Sequence, residues 1–87
     1  MSDITNELFD FDRELERFQT EMYCRFKDKA EQGYRGWRCG GIPSYKLCDD
    51  IIKDIRKIQS GIGIKKDAID IANRAVMLCL RLEGPTR

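Results

Sequence analysis

Six apolar residues, Ile4, Leu8, Phe11, Leu15, Phe18 and Met22, follow one another at intervals of four, three, four, three and four. Residues three and four apart share one helical face, so this rhythm is the seam of an amphipathic helix, and the two-residue alternation of a strand does not produce it. Glu14, Glu16, Arg17, Glu21 and Arg25 lie off the seam, and Glu21 with Arg25 has the i, i+4 spacing that supports a helix. The spacing predicts one helix from about residue 3 to about residue 31, with residues 10–12 as the place where it could break. A seam this apolar needs a surface to pack against.

The periodicity stops between Gln32 and Pro43, where Gly33, Gly36, Gly40 and Gly41 punctuate the stretch QGYRGWRCGGIP. The same stretch concentrates Tyr34, Arg35, Trp37 and Arg38, so aromatic faces and guanidinium groups sit where a backbone can come close to a ligand. The plainer use of this loop is to join two antiparallel helices, with Trp37 closing one end of the core.

Ser44 is the predicted N-cap of a second helix, to about residue 60, whose apolar stripe is Leu47, Cys48, Ile51, Ile52, Ile55 and Ile58. Ser60-Gly61-Ile62-Gly63 ends it. A third helix over about residues 64–83 turns Ala68, Ile71, Ala72, Ala75, Val76, Cys79 and Leu82 inward, and Gly84-Pro85 stops it. The expected fold is all-α: a long N-terminal helix, a Gly-rich loop, then an antiparallel helical hairpin. Three helices of such unequal length make an incomplete bundle, so a homo-oligomer is the expected completion.

A chain of 87 residues is one domain with little core to spare, since at this size only about 60 to 65% of the unfolded surface is buried. Sixteen basic and fifteen acidic residues leave a net charge of +1, which gives no global attraction to nucleic acid or to an anionic membrane. There is no apolar run of the roughly 18 residues that a membrane helix needs, and the acidic start through Asp12 does not read as a signal peptide. The cytoplasm is the expected location.

Four cysteines and no histidine narrow the chemistry. Without histidine, Cys-His and Ser-His-Asp catalysis are excluded. Without a C-x-x-C pair, Cys24, Cys39, Cys48 and Cys79 do not form a zinc pattern. Cys48 and Cys79 are expected as buried apolar residues, Cys24 and Cys39 as reduced thiols near the surface.

The acidic residues carry the main chemical signal. Asp50 and Asp54 are i, i+4 neighbours on the second helix, and Asp67 and Asp70 are i, i+3 neighbours on the third, so each pair projects from one helical face. Packed as a hairpin, the two helices could bring four carboxylates together, a donor set that suits Mg²⁺ and through it nucleotide phosphates. The plainer reading is a solvated charged face. Asp70 shares a sector with Asn73 and Met77 beside the apolar stripe, which puts it at the edge of a packed interface.

The order of elements and the segment Lys66-Asp67-Ala68-Ile69-Asp70-Ile71-Ala72-Asn73-Arg74-Ala75-Val76-Met77-Leu78 resemble the end of the all-α nucleoside triphosphate pyrophosphohydrolases, the MazG-like superfamily. The closer likeness is to small phage and prophage members that carry a Gly-Trp loop, here Gly36-Trp37. In that family an E-E-x-x-E motif and a later E-x-x-D motif hold Mg²⁺, and the enzymes release pyrophosphate from nucleotides. Laid on this chain, the resemblance implies metal ligands at Asp50, Asp54, Asp67 and Asp70, with Asn73 following. It spans about residues 15–82. The chain departs from the pattern at Ile51, where the central acid of the first motif would stand, and in having aspartate where the family has glutamate.

Three functions compete. In the first, an Mg²⁺-dependent hydrolase converts a nucleoside triphosphate to monophosphate and pyrophosphate, with Arg35, Arg38 or Lys46 on the phosphates and Trp37 or Tyr34 stacked on the base. In the second, a non-catalytic phage protein in the host cytoplasm sequesters a nucleotide or nucleotide second messenger to counter host immunity, a role that tolerates the loss at Ile51. In the third, the seam from Ile4 to Met22 serves a helical protein-interaction module.

Overall fold

The computed structural model describes residues 2–33, 36–37 and 41–83. Among them the chain is all-helical, with α1 over Ser2–Glu31, α2 over Ser44–Gln59 and α3 over Lys65–Leu82. No helix among them is long and apolar enough to cross a membrane. Tyr34, Arg35, Arg38 and Cys39 lie outside the described residues.

α1 runs through residues 10–12 without a break, about 45 Å at about 1.5 Å per residue. Only its second half is anchored. Lys65 reaches Glu21 at 2.9 Å and sits 5.2 Å above the Phe18 ring. The Asn73 side-chain amide donates to the Met22 carbonyl at 3.0 Å, and Arg25 grips Asp70. Every residue from 3 to 17 is exposed. The seam predicted as a packing face is therefore split: Phe18 and Met22 are half-buried, whereas Ile4, Leu8, Phe11 and Leu15 stand in solvent. Among the described residues no other element reaches them.

α2 and α3 lie side by side and are tied by polar bonds that run in reverse order along the two helices. Lys57 meets Asp67, Arg74 meets Asp54, and Arg81 donates to the Ser44 hydroxyl. Ser44 is thus not the N-cap expected of it. Pro43 occupies that position, and its carbonyl accepts from Lys46 and Leu47 N–H, which leaves the Ser44 hydroxyl for Arg81. Ser60 and Gly61 close α2, Gly61 at φ +86°, and the Ile62 and Gly63 N–H groups both donate to the Lys57 carbonyl. The next cap is made by Asp67. Its carboxylate accepts the Ile64 N–H at 2.9 Å while its own N–H donates to the Ile64 carbonyl, so one side chain satisfies an otherwise orphaned donor at the start of α3.

Among the described residues the buried apolar side chains are Leu47 and Ile69, and the buried charged ones are Asp54, Asp67 and Asp70. α3 is rotated relative to the expected face. Ala68, Ala75, Val76, Cys79 and Leu82 are exposed, Ile71 and Ala72 are half-buried, and Ile69 and Asp70 point in. Each residue turns a helix by about 100°, so bringing Asp70 to Arg25 and Asn73 to Met22 carries the small-residue face outward. α2 shows the same split, with Leu47 inside, Ile51 half-buried and Cys48, Ile52, Ile55 and Ile58 exposed. Cys48 and Cys79 are consequently exposed free thiols and not core residues; Cys24 is exposed, as expected.

Candidate functional site

The loop that follows α1 is pinned at its described ends. The Gly41 N–H donates to the Gly36 carbonyl at 2.7 Å, with Gly36 at φ +84°, a backbone angle glycine adopts without the Cβ clash other residues meet. A Cβ on Gly41 would lie 3.2 Å from Gly36 Cα and O, so the two strands of the loop neck meet backbone to backbone. Trp37 is held from both sides. Its carbonyl accepts Arg81 Nε at 3.1 Å and also Arg81 Nη2, and its ring meets Phe26 edge-on at 6.3 Å and 85°, a favoured aromatic geometry.

These anchors leave a cleft between the second half of α1, the loop ends and α3. Trp37 and Phe26 form its aromatic corner, Ile42 and Met77 add apolar wall, and Lys29, Asp70, Asn73 and Arg74 supply its polar groups. It is partly open to solvent, and the space within it that the centre of a water can occupy is about 40 Å³, room for a few waters. Trp37, Asp70 and Asn73, singled out in the sequence, come together here. Lys46 does not line this cleft. Met77 lines the cleft with Asp70 and Asn73, the sector the sequence assigns it to; Phe26, Lys29 and Arg74 are additions, although Arg74 stands four residues after Asp70 and Phe26 four after Met22, spacings that place each on the relevant face.

The four aspartates are each committed to a cation of the chain. Asp50 accepts from Lys46 at 3.1 Å. Asp54 accepts from Arg74 at 2.7 Å, with both side chains little exposed. Asp67 accepts from Lys57 at 3.1 Å besides the Ile64 N–H. Asp70 takes a two-pronged grip from Arg25, Nε to Oδ1 at 2.8 Å and Nη2 to Oδ2 at 3.0 Å, the geometry that suits guanidinium to carboxylate. Among the described residues no three acidic or cysteine side chains gather as a metal site. Mg²⁺ requires near-octahedral oxygen ligands at about 2.1 Å, so to enter this sector it would have to displace Arg25, Arg74 or Lys57. As the carboxylates are held, the donor set does not fit the ion.

The electrostatics agree with that commitment. The Ile64 N–H, then Lys57, hold the Asp67 carboxyl below its ordinary range. Burial pushes Asp70 upward, but the Arg25 hydrogen bonds and charge, with Lys29 and Arg74 behind them, outweigh it and hold Asp70 below its ordinary range. Asp70 in return raises the Arg25 guanidinium. Both carboxylates are therefore stabilised as anions by the fold itself.

No family model, curated protein or solved structure matches this chain.

Proposed function

We propose that this chain is a nucleotide-binding helical protein that holds its ligand without hydrolysing it, built as an antiparallel α2–α3 hairpin whose fold and site are completed by a second copy. The observation that carries the reading is the ion pairing of Asp54, Asp67 and Asp70 with Arg74, Lys57 and Arg25. In the sector where the MazG-like resemblance expects free metal ligands, the chain supplies its own cations. A binder needs complementarity to the ground state only, so it keeps its role when the metal cage is replaced by ion pairs.

The edge of Trp37 and Phe26 supports a stacked base across the mouth of the cleft, and Lys29 supports the negative charge of a phosphate. The partly open cleft supports a ligand that rests across its mouth, with its remaining surface covered by the partner. The protein-interaction reading is favoured separately by the exposed half of α1, and it needs no small molecule at all.

The test is a thermal melt of the purified protein with nucleoside triphosphates and cyclic dinucleotides, with Mg²⁺ or with EDTA, followed by chromatography of each ligand. A ligand at a hundred times its dissociation constant should stabilise the fold by about 2.7 kcal/mol. The expected result is a shift of several degrees that persists in EDTA, with the ligand recovered intact. Recovery of monophosphate and pyrophosphate only with Mg²⁺ would overturn the binding reading in favour of the hydrolase. A flat response to every ligand would leave the interaction module.

A further inference from the structure

Two further surfaces lie outside the cleft and share only Lys57 with the acidic sector, and they are complementary. The first is the free half of α1. Ile4, Leu8, Phe9 and Phe11 are 66% to 69% exposed, at spacings that place Ile4, Leu8 and Phe11 on one side of the helix. The charges interleaved with them are Asp3, Glu7, Asp10 and Asp12, Asp10 being shared with the exposed Arg13 at 3.2 Å, and no basic residue precedes Arg13. The arm is thus apolar on one side and acidic around it.

The second is a groove on the outer side of α2 toward the Gly61 turn. Its apolar floor is Ile52 and Ile62, and its rim carries Lys53, Arg56 and Lys57, with Asp49 toward the start of the helix. Lys57 is shared with Asp67, whereas Lys53 and Arg56 form no ion pair among the described residues. Ile52 and Ile62 are 45% and 71% exposed, so this apolar strip also lacks cover among the described residues.

The arm cannot fill the groove of its own chain. α1 is one unbroken helix whose second half is fixed on α3, and its backbone does not pack against α2. We propose that the groove receives the α1 arm of a second copy, in a two-fold pair where each chain gives one arm and receives the other. Ile4, Leu8 and Phe11 seat on Ile52 and Ile62 in the manner of a helix laid in a groove, and Asp10 and Asp12, which flank that side, face Lys53 and Arg56. A two-fold axis makes both contacts identical, so the acidic and basic patches are satisfied twice and the pair closes.

Charge reversal in the full-length chain tests this directly. Sedimentation analysis should show reversible self-association of the wild type. The arm variant Asp10→Lys with Asp12→Lys, and the groove variant Lys53→Glu with Arg56→Glu, should each raise the dissociation constant by more than about tenfold, because like charges then face each other. All four positions are on exposed helix surface, and circular dichroism confirms that both variants keep their helices. The decisive sample is an equal mixture of the two variants. Each reversed arm then meets a reversed groove and each native arm a native groove, so the mixed pair should associate as tightly as the wild type. Monomeric wild type, association indifferent to both variants, or a mixture that stays dissociated would each overturn the proposal.

Discussion

Replacing Arg25 with methionine should lower stability at pH 7 by about 2 to 3 kcal/mol, below the cost of breaking a fully buried pair because Arg25 keeps some solvent contact. Methionine preserves the apolar stem but removes both hydrogen bonds to Asp70, whose side chain is only 11% exposed. For a domain of this size the melting temperature should fall by about 10 to 20 °C. The pH dependence carries a sharper signature. In the wild type the Asp70 carboxyl is depressed, so its contribution is fully present above the unfolded value of about 3.9 and is lost as pH falls through and below it. In the variant, burial is opposed only by Lys29 and Arg74, the carboxyl moves up, and its charged form becomes a burden. The gap between wild type and variant should therefore be widest at neutral pH and narrow toward pH 3. Adding Asp70→Asn to the variant should recover part of the loss, since no uncompensated charge remains. Melts that coincide at pH 7, or a gap constant down to pH 3, would remove Arg25–Asp70 from its role as the tie between α1 and α3.

Gly63→Ala should be nearly as damaging for a different reason. A Cβ there would stand 2.6 Å from Ile58 Cγ1, 2.7 Å from Ile58 Cα and 2.8 Å from Ile58 N. Two of those atoms are helix backbone and cannot swing aside, so the α2–α3 turn must open, with the Gly63 N–H to Lys57 carbonyl bond, 2.9 Å long, under direct threat. Overpacking of this kind costs about 1 to 3 kcal/mol, and contact with backbone argues for the upper half of that range. Gly61 is the internal control. It has φ +86° but open space around the position of a Cβ, so its cost is conformational, about 1 kcal/mol for alanine and less for asparagine, which tolerates the left-handed region. Asparagine at position 63 should be no better than alanine. Urea melts of the four variants separate the two causes: if Gly63→Ala proves as mild as Gly61→Asn, the close approach of the turn to Ile58 is not a constraint on the fold.

Much of the fold could be read from spacing alone. The four-three rhythm of α1, the glycines after Gly33, and the pair Gly61 and Gly63 between two apolar stripes are local signals, and they set the ends of all three helices to within a residue or two. Which face of each helix turns inward was less legible, because α3 is apolar on more than one side. The choice between Ala75 and Ile69 as core residue depends on Arg25, 45 positions from Asp70 along the chain. The aspartates show the same limit. Their helical spacing was plain, but whether a carboxylate meets a metal ion or a guanidinium is decided by a residue on another helix. The sequence carried one usable hint, Arg74 at i+4 from Asp70, which places a cation in the acidic sector. Ser44 differs from its expected role because the helix begins one residue earlier, with Pro43 at the cap, and the serine hydroxyl inside the first turn accepts from Arg81 instead.

The composition of the interior has a calorimetric consequence. The heat-capacity change of unfolding rises with apolar surface exposed and falls with polar surface exposed, and ordinary domains show about 12 to 15 cal/mol/K per residue. Here the buried set among the described residues is Leu47 and Ile69 beside Asp54, Asp67 and Asp70. The single chain should fall below that range, with a shallow stability curve that changes little on cooling. Scanning calorimetry across a dilution series would then find the missing heat capacity in association, as Leu8, Phe11, Ile52 and Ile62 leave water together.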